Sequence, residues 1–448
     1  MKGPKSLTIV IKLGTSSIVD EKTHEPLLSI LSLIVETAVK LRKDGHKVVI
    51  VSSGAIGVGL RRMDVDKRPK HLSKLQALAA IGQCRLMSLW DSLFAHLQQP
   101  ISQILLTRND IADRSRYLNA QNTMVELLDM GVIPIVNEND TLAVAEIKFG
   151  DNDTLSAITA AMVHADFLFL MTDVDCLYDK NPRTNPDARA IEEVEDIGAI
   201  QADVSSAGSS LGTGGMGTKI VAARLATSAG VTTVITRSSS PGNIHKIVRY
   251  LQAVKSSPSQ TQTSIAAPAH EDQSEDSLAG STAFLSLSAS QTLEKPPLHT
   301  RFLPLSQPIR DRYFWLLHGL APHGTVYIDS GAHHALADKA GLLPVGVLDV
   351  EGSFAQQEAV RLCVVTRRSG GEPGLDGKLW DGEPLEVGRA LVNYAAPEIA
   401  RIKGFRSSQI ENLLGYADSE YVAHRENISL FRRESRPVSP APVPGPDA

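Results

Sequence analysis

The sequence predicts an α/β protein, with an open, mainly parallel sheet between helical layers and then a small mixed β module. Three observations carry this. Short β-branched runs alternate with longer amphipathic ones across the first 255 residues, which is the pattern of repeated βα units. Several short runs, VVIV and FLFLM among them, are apolar at nearly every position, as strands covered on both faces require. From Ser256 to Thr300, 23 of the 45 residues are Ser, Thr, Pro or Gln and the one aromatic is Phe284. Such a stretch buries too little apolar surface to offset its ordering entropy.

In order, the strand candidates are Leu7–Leu13, Lys47–Ser52, Ser102–Leu106, Val132–Val136, Phe167–Met171 and Val231–Thr236. Helical patterns fall between and after them at Leu28–Lys43, Leu72–Leu97, Arg116–Met130, Thr154–His164 and Lys219–Ala229. Further on, Thr325–Ile328, Gly346–Val350, Val360–Val365 and Leu391–Tyr394 read as short strands of a second, barrel-like module. The expected organisation is a first domain at 1–255, a disordered linker at 256–300, a second domain at 301–434 and a disordered tail at 435–448.

Composition removes several function classes. The 448 residues carry 45 Lys+Arg against 50 Asp+Glu, a net charge of −5, which offers no footprint for nucleic acid or an anionic membrane. Cys84, Cys176 and Cys363 are far apart without metal-ligand spacing, arguing against a disulfide framework or a structural zinc and for a reducing compartment. No apolar run approaches the ~18 residues that span a bilayer. A strand-like run begins almost at once, leaving no room for a cleavable signal. A soluble cytoplasmic protein is expected.

In an open parallel sheet, ligands bind beyond the carboxyl ends of the strands. There the sequence is dense in polar groups. Lys12 precedes the turn Gly14-Thr15-Ser16-Ser17, pairing a cation with amides that approach an oxyanion closely. Ser53-Gly54-Ala55 follows the second strand, and its glycines run GxxGxG rather than the GxGxxG of dinucleotide sites. Asn137-Glu138-Asn139-Asp140 follows the fourth, with Asp151-Asn152-Asp153 soon after. Turn formers and a helix N-cap would explain Asp151 alone, whereas the paired clusters suggest a ligand. After the fifth strand, Asp173 and Asp175 are carboxylates suited either to Mg²⁺ or to a turn cap. Gly212-Thr213-Gly214-Gly215-Met216-Gly217-Thr218-Lys219 leads into a helix, where amides and the helix dipole favour an anion.

Together these segments, with Thr172-Asp173, Leu177-Tyr178 and Asn181-Pro182-Arg183, resemble the glutamate-phosphorylating branch of the amino acid kinase family. They follow the family's order over nearly the whole first domain. The second domain resembles the PUA module through Gly324–Gly331, Leu342–Gly346, Glu411–Tyr416 and Ala423–Arg425, with Arg368–Glu386 read as an insertion. The resemblance implies the amino acid kinase fold, ATP and Mg²⁺ as cofactors, and L-glutamate as phosphoryl acceptor in the first step of proline synthesis. It assigns Lys12, Lys219, Asp153 and Gly14 to catalysis. Ser53, Gly54, Ala55, Asn137, Asp140 and Asn152 would hold glutamate. Lys12, Thr172, Asp173 and the run Thr213, Gly214, Gly215, Met216, Gly217, Thr218 and Lys219 would hold the nucleotide, with the protein ligands of Mg²⁺ unassigned. Feedback inhibition by proline and a homo-oligomer, dimer or tetramer, are also implied.

Two other classes fare worse. PUA modules serve RNA-modifying enzymes, but residues 321–448 carry 13 Lys+Arg against 17 Asp+Glu, a poor match to phosphate neutralisation. A bifunctional enzyme that also reduces the acyl phosphate lacks room for a dehydrogenase domain.

Overall fold

The computed structural model describes residues 6–142, 152–182, 184–199, 215–256, 295–309, 311–368 and 380–431. The expected linker, apart from its ends, and the expected tail lie outside them, as do Asp151, Thr213 and Gly214.

The first sheet is built from β1 (Thr8–Leu13), β2 (Lys47–Ser52), β3 (Ile101–Leu106), β4 (Ile133–Glu138), β5 (Phe167–Thr172), β8 (Glu193–Val194), β9 (Thr232–Arg237) and β10 (Thr300–Phe302). Their order is β3-β4-β2-β1-β5-β9-β10-β8. The six strands from β3 to β9 are parallel, and β10 runs antiparallel to β9. A small hairpin, β6 (Leu177–Tyr178) and β7 (Ala190–Ile191), stands off the end of β5. The main helices are α1 (Leu28–Lys43), α2 (Ala55–Arg62), α3 (Leu72–Ala95), α4 (Arg108–Ala112), α5 (Arg114–Asp129), α6 (Asn152–Met162), α7 (Met216–Ser228) and α8 (Asn243–Ser256).

Strand alternation divides the core in two. Ile9, Ile11, Leu13, Val48, Ile50, Phe167 and Phe169 face α1, α3 and α8. Val10, Val49, Val51, Leu168 and Leu170 face α5, α6 and α7. Because side chains two apart share a face, Lys12 projects with Val10 toward α6 and α7. In α6, Asp153 and every residue from Leu155 to Met162 are buried, so it is a central helix between sheet and outer layer.

The boundary expected at residue 300 falls inside β10, a strand of the first sheet. Composition misses it because the strand is only three residues long. The chain then stays on the first domain: Phe302, Ile309, Phe314, Trp315, Leu316 and Leu317 join the core under α5–α7, and Trp315 Nε1 donates to the Ile111 carbonyl at 2.9 Å.

A second sheet contains β11 (Gly324–Ile328), β12 (Val347–Gly352), β13 (Ala359–Arg367), β14 (Trp380–Leu391) and β15 (Ile428–Leu430), ordered β12-β11-β13-β14-β15. It is mixed: β11 pairs parallel with β13 and the other pairs are antiparallel. One expectation is corrected here. Leu391–Tyr394 is not a strand; β14 ends at Leu391, and Asn393 turns its amide to Ser419 Oγ and the Tyr421 carbonyl. Within the expected insertion Arg368–Glu386, the stretch Trp380–Glu386 is the first half of β14 and pairs with β13. Asp381–Glu386 are exposed at every position, so no apolar alternation marks the strand in the sequence.

Candidate active site

Three charged side chains meet at the carboxyl end of β1. Lys12 Nζ lies 2.5 Å from Asp153 Oδ1, and Lys219 Nζ lies 3.4 Å from Asp153 Oδ2. Asp153 is 0% exposed, Lys12 4% and Lys219 7%. The fold makes this possible because β1, the first turn of α6 and the first turn of α7 converge on one face of the sheet. Thr218 Oγ1 sits 2.7 Å from Asp153 Oδ2 and accepts the Gly215 amide at 3.0 Å, tying the start of α7 to the carboxylate. Burial pushes the Asp153 carboxyl upward, but the two ammonium groups and the bonds from Lys12 and Thr218 outweigh it and hold it at about 2. It is therefore a fixed anion at neutral pH, with two cations for one carboxylate. Among the described residues two ammonium groups flank this one carboxylate, an arrangement suited to meeting an anion.

Gly14 lies beside this group at the start of the Thr15–Ser17 turn; a Cβ there would stand 3.7 Å from Lys12 Nζ, an ordinary contact.

A second polar cluster lies at the ends of β2 and β4. Asn152 Nδ2 donates to Ser53 Oγ at 2.8 Å and to Asn137 Oδ1 at 3.1 Å. Asn137 Nδ2 donates to Gln83 Oε1 at 2.9 Å. Asn152 Oδ1 is buried with no hydrogen-bond partner among the described residues. A buried carbonyl of this kind is costly unless something donates to it, and an ammonium group of a ligand is a suitable donor. Asp140 is half-buried in the turn after β4.

The glycines after Ser53 have mixed roles. Gly54 adopts φ +97°, the left-handed region that starts α2 sharply after β2. Gly57 and Gly59 serve packing instead: a Cβ on Gly59 would lie 2.0 Å from the Leu78 carbonyl oxygen of α3. The run is therefore only partly a ligand turn.

On the other side of β1, Thr172 ends β5 and its hydroxyl donates to Asp173 Oδ1 at 3.1 Å. Asp175, a candidate for Mg²⁺ or a turn, pairs with Arg237 at 2.8 Å. Among the described residues no group of three or more His, Cys, Asp or Glu side chains is placed to hold a metal. Met216 and Gly217 open α7 half-buried, with their amides at the helix start.

Of the residues singled out in the sequence, Lys12, Gly14, Asp153 and the Gly215–Lys219 segment converge on one point, and Ser53, Gly54, Ala55, Asn137 and Asn152 on a neighbouring one. Thr172 and Asp173 lie on the far side of the triad. Sequence reasoning missed Gln83, which lacks a motif, and the link from Thr218 to Asp153, which spans 65 residues.

An anion-handling enzyme site at the mouth of a parallel sheet is the class these features define. Residues 7–237 match the amino acid kinase family and residues 324–414 the PUA domain. A probable glutamate 5-kinase from Schizosaccharomyces pombe is 54% identical over 95% of this chain and 93% of its own length. An uncharacterised Saccharomyces cerevisiae protein is 48% identical over 95% and 99%. The glutamate 5-kinase of a Cyanothece species is 44% identical over 94% and 99%. The chain belongs to the amino acid kinase family, in its glutamate 5-kinase branch with a C-terminal PUA domain.

Proposed function

We propose that this enzyme transfers the γ-phosphoryl group of ATP to the side-chain carboxylate of L-glutamate, giving glutamyl 5-phosphate and ADP. The observation that carries the reading is the Lys12–Asp153–Lys219 triad. A carboxylate nucleophile, with a reference pKa near ~4.3, is already ionised at neutral pH and needs no general base. The obstacle is repulsion: two unit charges about 4 Å apart cost roughly 4 kcal/mol at an effective dielectric near 20. Positioning and charge stabilisation are the remedy in phosphoryl transfer generally.

In this reading Lys12 and Lys219 neutralise charge on the migrating group. Asp153 holds both ammonium groups in place, and Gly14 supplies a backbone donor. Ser53, Gly54, Ala55, Asn137, Asp140 and Asn152 hold glutamate, with Asp140 and the buried Asn152 Oδ1 suited to its α-ammonium. Thr172, Asp173 and the Thr213–Lys219 segment take the nucleotide. Mg²⁺ would be carried chiefly by the ATP phosphates and water, in keeping with the lack of a carboxylate cage among the described residues.

Proline, the pathway's end product, is proposed as an inhibitor sharing the glutamate pocket, beside the Arg114–Asn122 stretch. It fails if saturating glutamate leaves inhibition unchanged. A cytoplasmic homo-oligomer is proposed as well.

The test is an acceptor panel with ATP, trapping acyl phosphates with hydroxylamine. Glutamate should give hydroxamate, and aspartate, N-acetylglutamate and UMP should not turn over comparably. Preference for another acceptor would reassign the substrate within the family.

A further inference from the structure

The short strand that follows the linker touches both flanks of the nucleotide side. Thr300 is fully buried, and its hydroxyl is used twice: it donates to the Ile191 carbonyl at 2.6 Å and accepts the Leu177 amide at 2.7 Å. Those partners belong to β7 and β6, so one side chain closes the hairpin that grows from Thr172-Asp173. The backbone of β10 continues the clamp. Arg301 N donates to the Glu192 carbonyl at 2.8 Å and Leu303 N to that of Val194 at 2.9 Å, while the Arg301 guanidinium pairs with Glu193. On its other edge Thr300 stands opposite Ile235, two residues before Arg237 ends β9. Arg237 in turn holds Asp175 at the root of the hairpin.

Beyond the strand, the same stretch grips α7. Leu305 N donates to the Thr227 carbonyl at 3.1 Å and Ile309 N to the Ser228 carbonyl at 2.7 Å. These are the last carbonyls of the helix whose first turn carries Thr218 and Lys219. Ten residues thus join the hairpin wall to the far end of the helix that presents Lys219.

We propose that Thr300–Ile309 is a strap that sets the spacing of the two nucleotide-side walls, and that Thr300 is its positioning residue. The inference rests on the kinase reading and goes beyond it, because none of these residues touches the reacting groups. The β6–β7 hairpin is too short to hold itself, since a two-stranded ribbon is marginal in water. Its anchorage is what Thr300 supplies.

The experiment is calorimetric titration of ATP into the full chain, with steady-state kinetics for both substrates. Thr300→Val keeps the shape but leaves the buried Leu177 amide and the half-buried Ile191 carbonyl without their partner. ATP binding should weaken about tenfold, the scale of one buried unsatisfied polar group, with the KM for glutamate within about twofold of wild type. Thr300→Ser keeps both hydrogen bonds and should restore ATP affinity to within about twofold. Should Thr300→Val fail to fold, Arg301→Glu sets like charges against Glu193 at the solvated edge and should weaken ATP about threefold. The strap is overturned if the folded variants bind ATP as wild type does, if Ser fails to rescue, or if both KM values rise together. A wild-type chain that binds no ATP overturns the kinase reading and this inference together; ATP binding without glutamate turnover overturns only the acceptor.

Discussion

Asn152 and Ser53 are 99 residues apart in the chain, yet the amide of one donates to the hydroxyl of the other at 2.8 Å. The contact joins the first turn of α6 to the end of β2 and leaves Asn152 Oδ1 buried and without a partner among the described residues. Asn152 also adjoins Asp153, so one helix turn contributes to both polar clusters, the one at Ser53 and Asn137 and the one at Lys12 and Lys219.

Asn152→Ala should therefore act on the acceptor. Removing a buried amide that meets the substrate ammonium should raise the KM for glutamate about tenfold or more, with the KM for ATP little changed. Asp140→Ala should shift the same parameter in the same direction. Initial rates with each substrate varied at saturation of the other check this. A rise confined to ATP would move both residues out of the glutamate pocket.

Lys219→Ala should lower kcat by roughly 10²–10³, the scale for losing one charge-stabilising group. The lysine sits in the first turn of α7, 3.4 Å from Asp153, so its loss leaves Lys12 and the carboxylate paired and the fold intact. Single-turnover rates separate this loss from slow product release. A near-wild-type rate would remove Lys219 from the mechanism.

Asp153 gives a pH prediction. Its carboxyl is lowered from 3.8 to about 2 in the folded chain, burial being outweighed by Lys12 and Lys219. A depressed folded value means the unfolded chain takes up the proton first. The stabilisation is present in full above about 3.8 and is lost as pH falls toward about 2. It amounts to about 2 kcal/mol. Urea denaturation of wild type against Asp153→Asn should show a gap that is constant from neutral pH to about 4 and closes below it. A gap that persists unchanged at pH 2 would mean the carboxylate is not what the lysines stabilise.

Much of the first domain was legible in the sequence, and the reason is physical. Lys47–Ser52 and Leu28–Lys43 have the bounds expected of them, because apolar runs covered on both faces and an amphipathic 3.6-residue period are local signals. Lys12, Ser53, Asn137 and Thr172 are singled out because ligands meet parallel sheets at the strand ends, and they stand at the ends of β1, β2, β4 and β5. What escaped is non-local. No periodicity marks Thr300–Phe302 as a strand, since three residues at a linker's end gain their stability from β9 and β8 rather than from themselves. Trp380–Glu386 carries no strand pattern of its own, because pairing with β13 makes it regular. Likewise, nothing near Gln83 announces that it supports Asn137 across 54 residues.

The crossing of α2 and α3 supplies the last prediction. A Cβ on Gly82 would lie 1.7 Å from the Ala55 carbonyl oxygen and 2.6 Å from the Gly59 amide nitrogen. Both are backbone atoms, so no side chain can swing aside and the helices must separate. Gly82→Ala should cost about 3 kcal/mol, the upper end for overpacking, and lower Tm by about 6–12 °C at this domain size. The damage should also reach the acceptor pocket, because α2 starts directly after Ser53-Gly54 and α3 carries Gln83. A raised KM for glutamate is expected in the folded fraction, with less change for ATP. Gly242→Ala is the control: a Cβ there meets nothing within 4 Å, and its effect should stay within about 0.5 kcal/mol. Calorimetric melting of the two variants beside wild type decides it. Equal Tm values for Gly82→Ala and Gly242→Ala would show that the helices do not cross as closely as this.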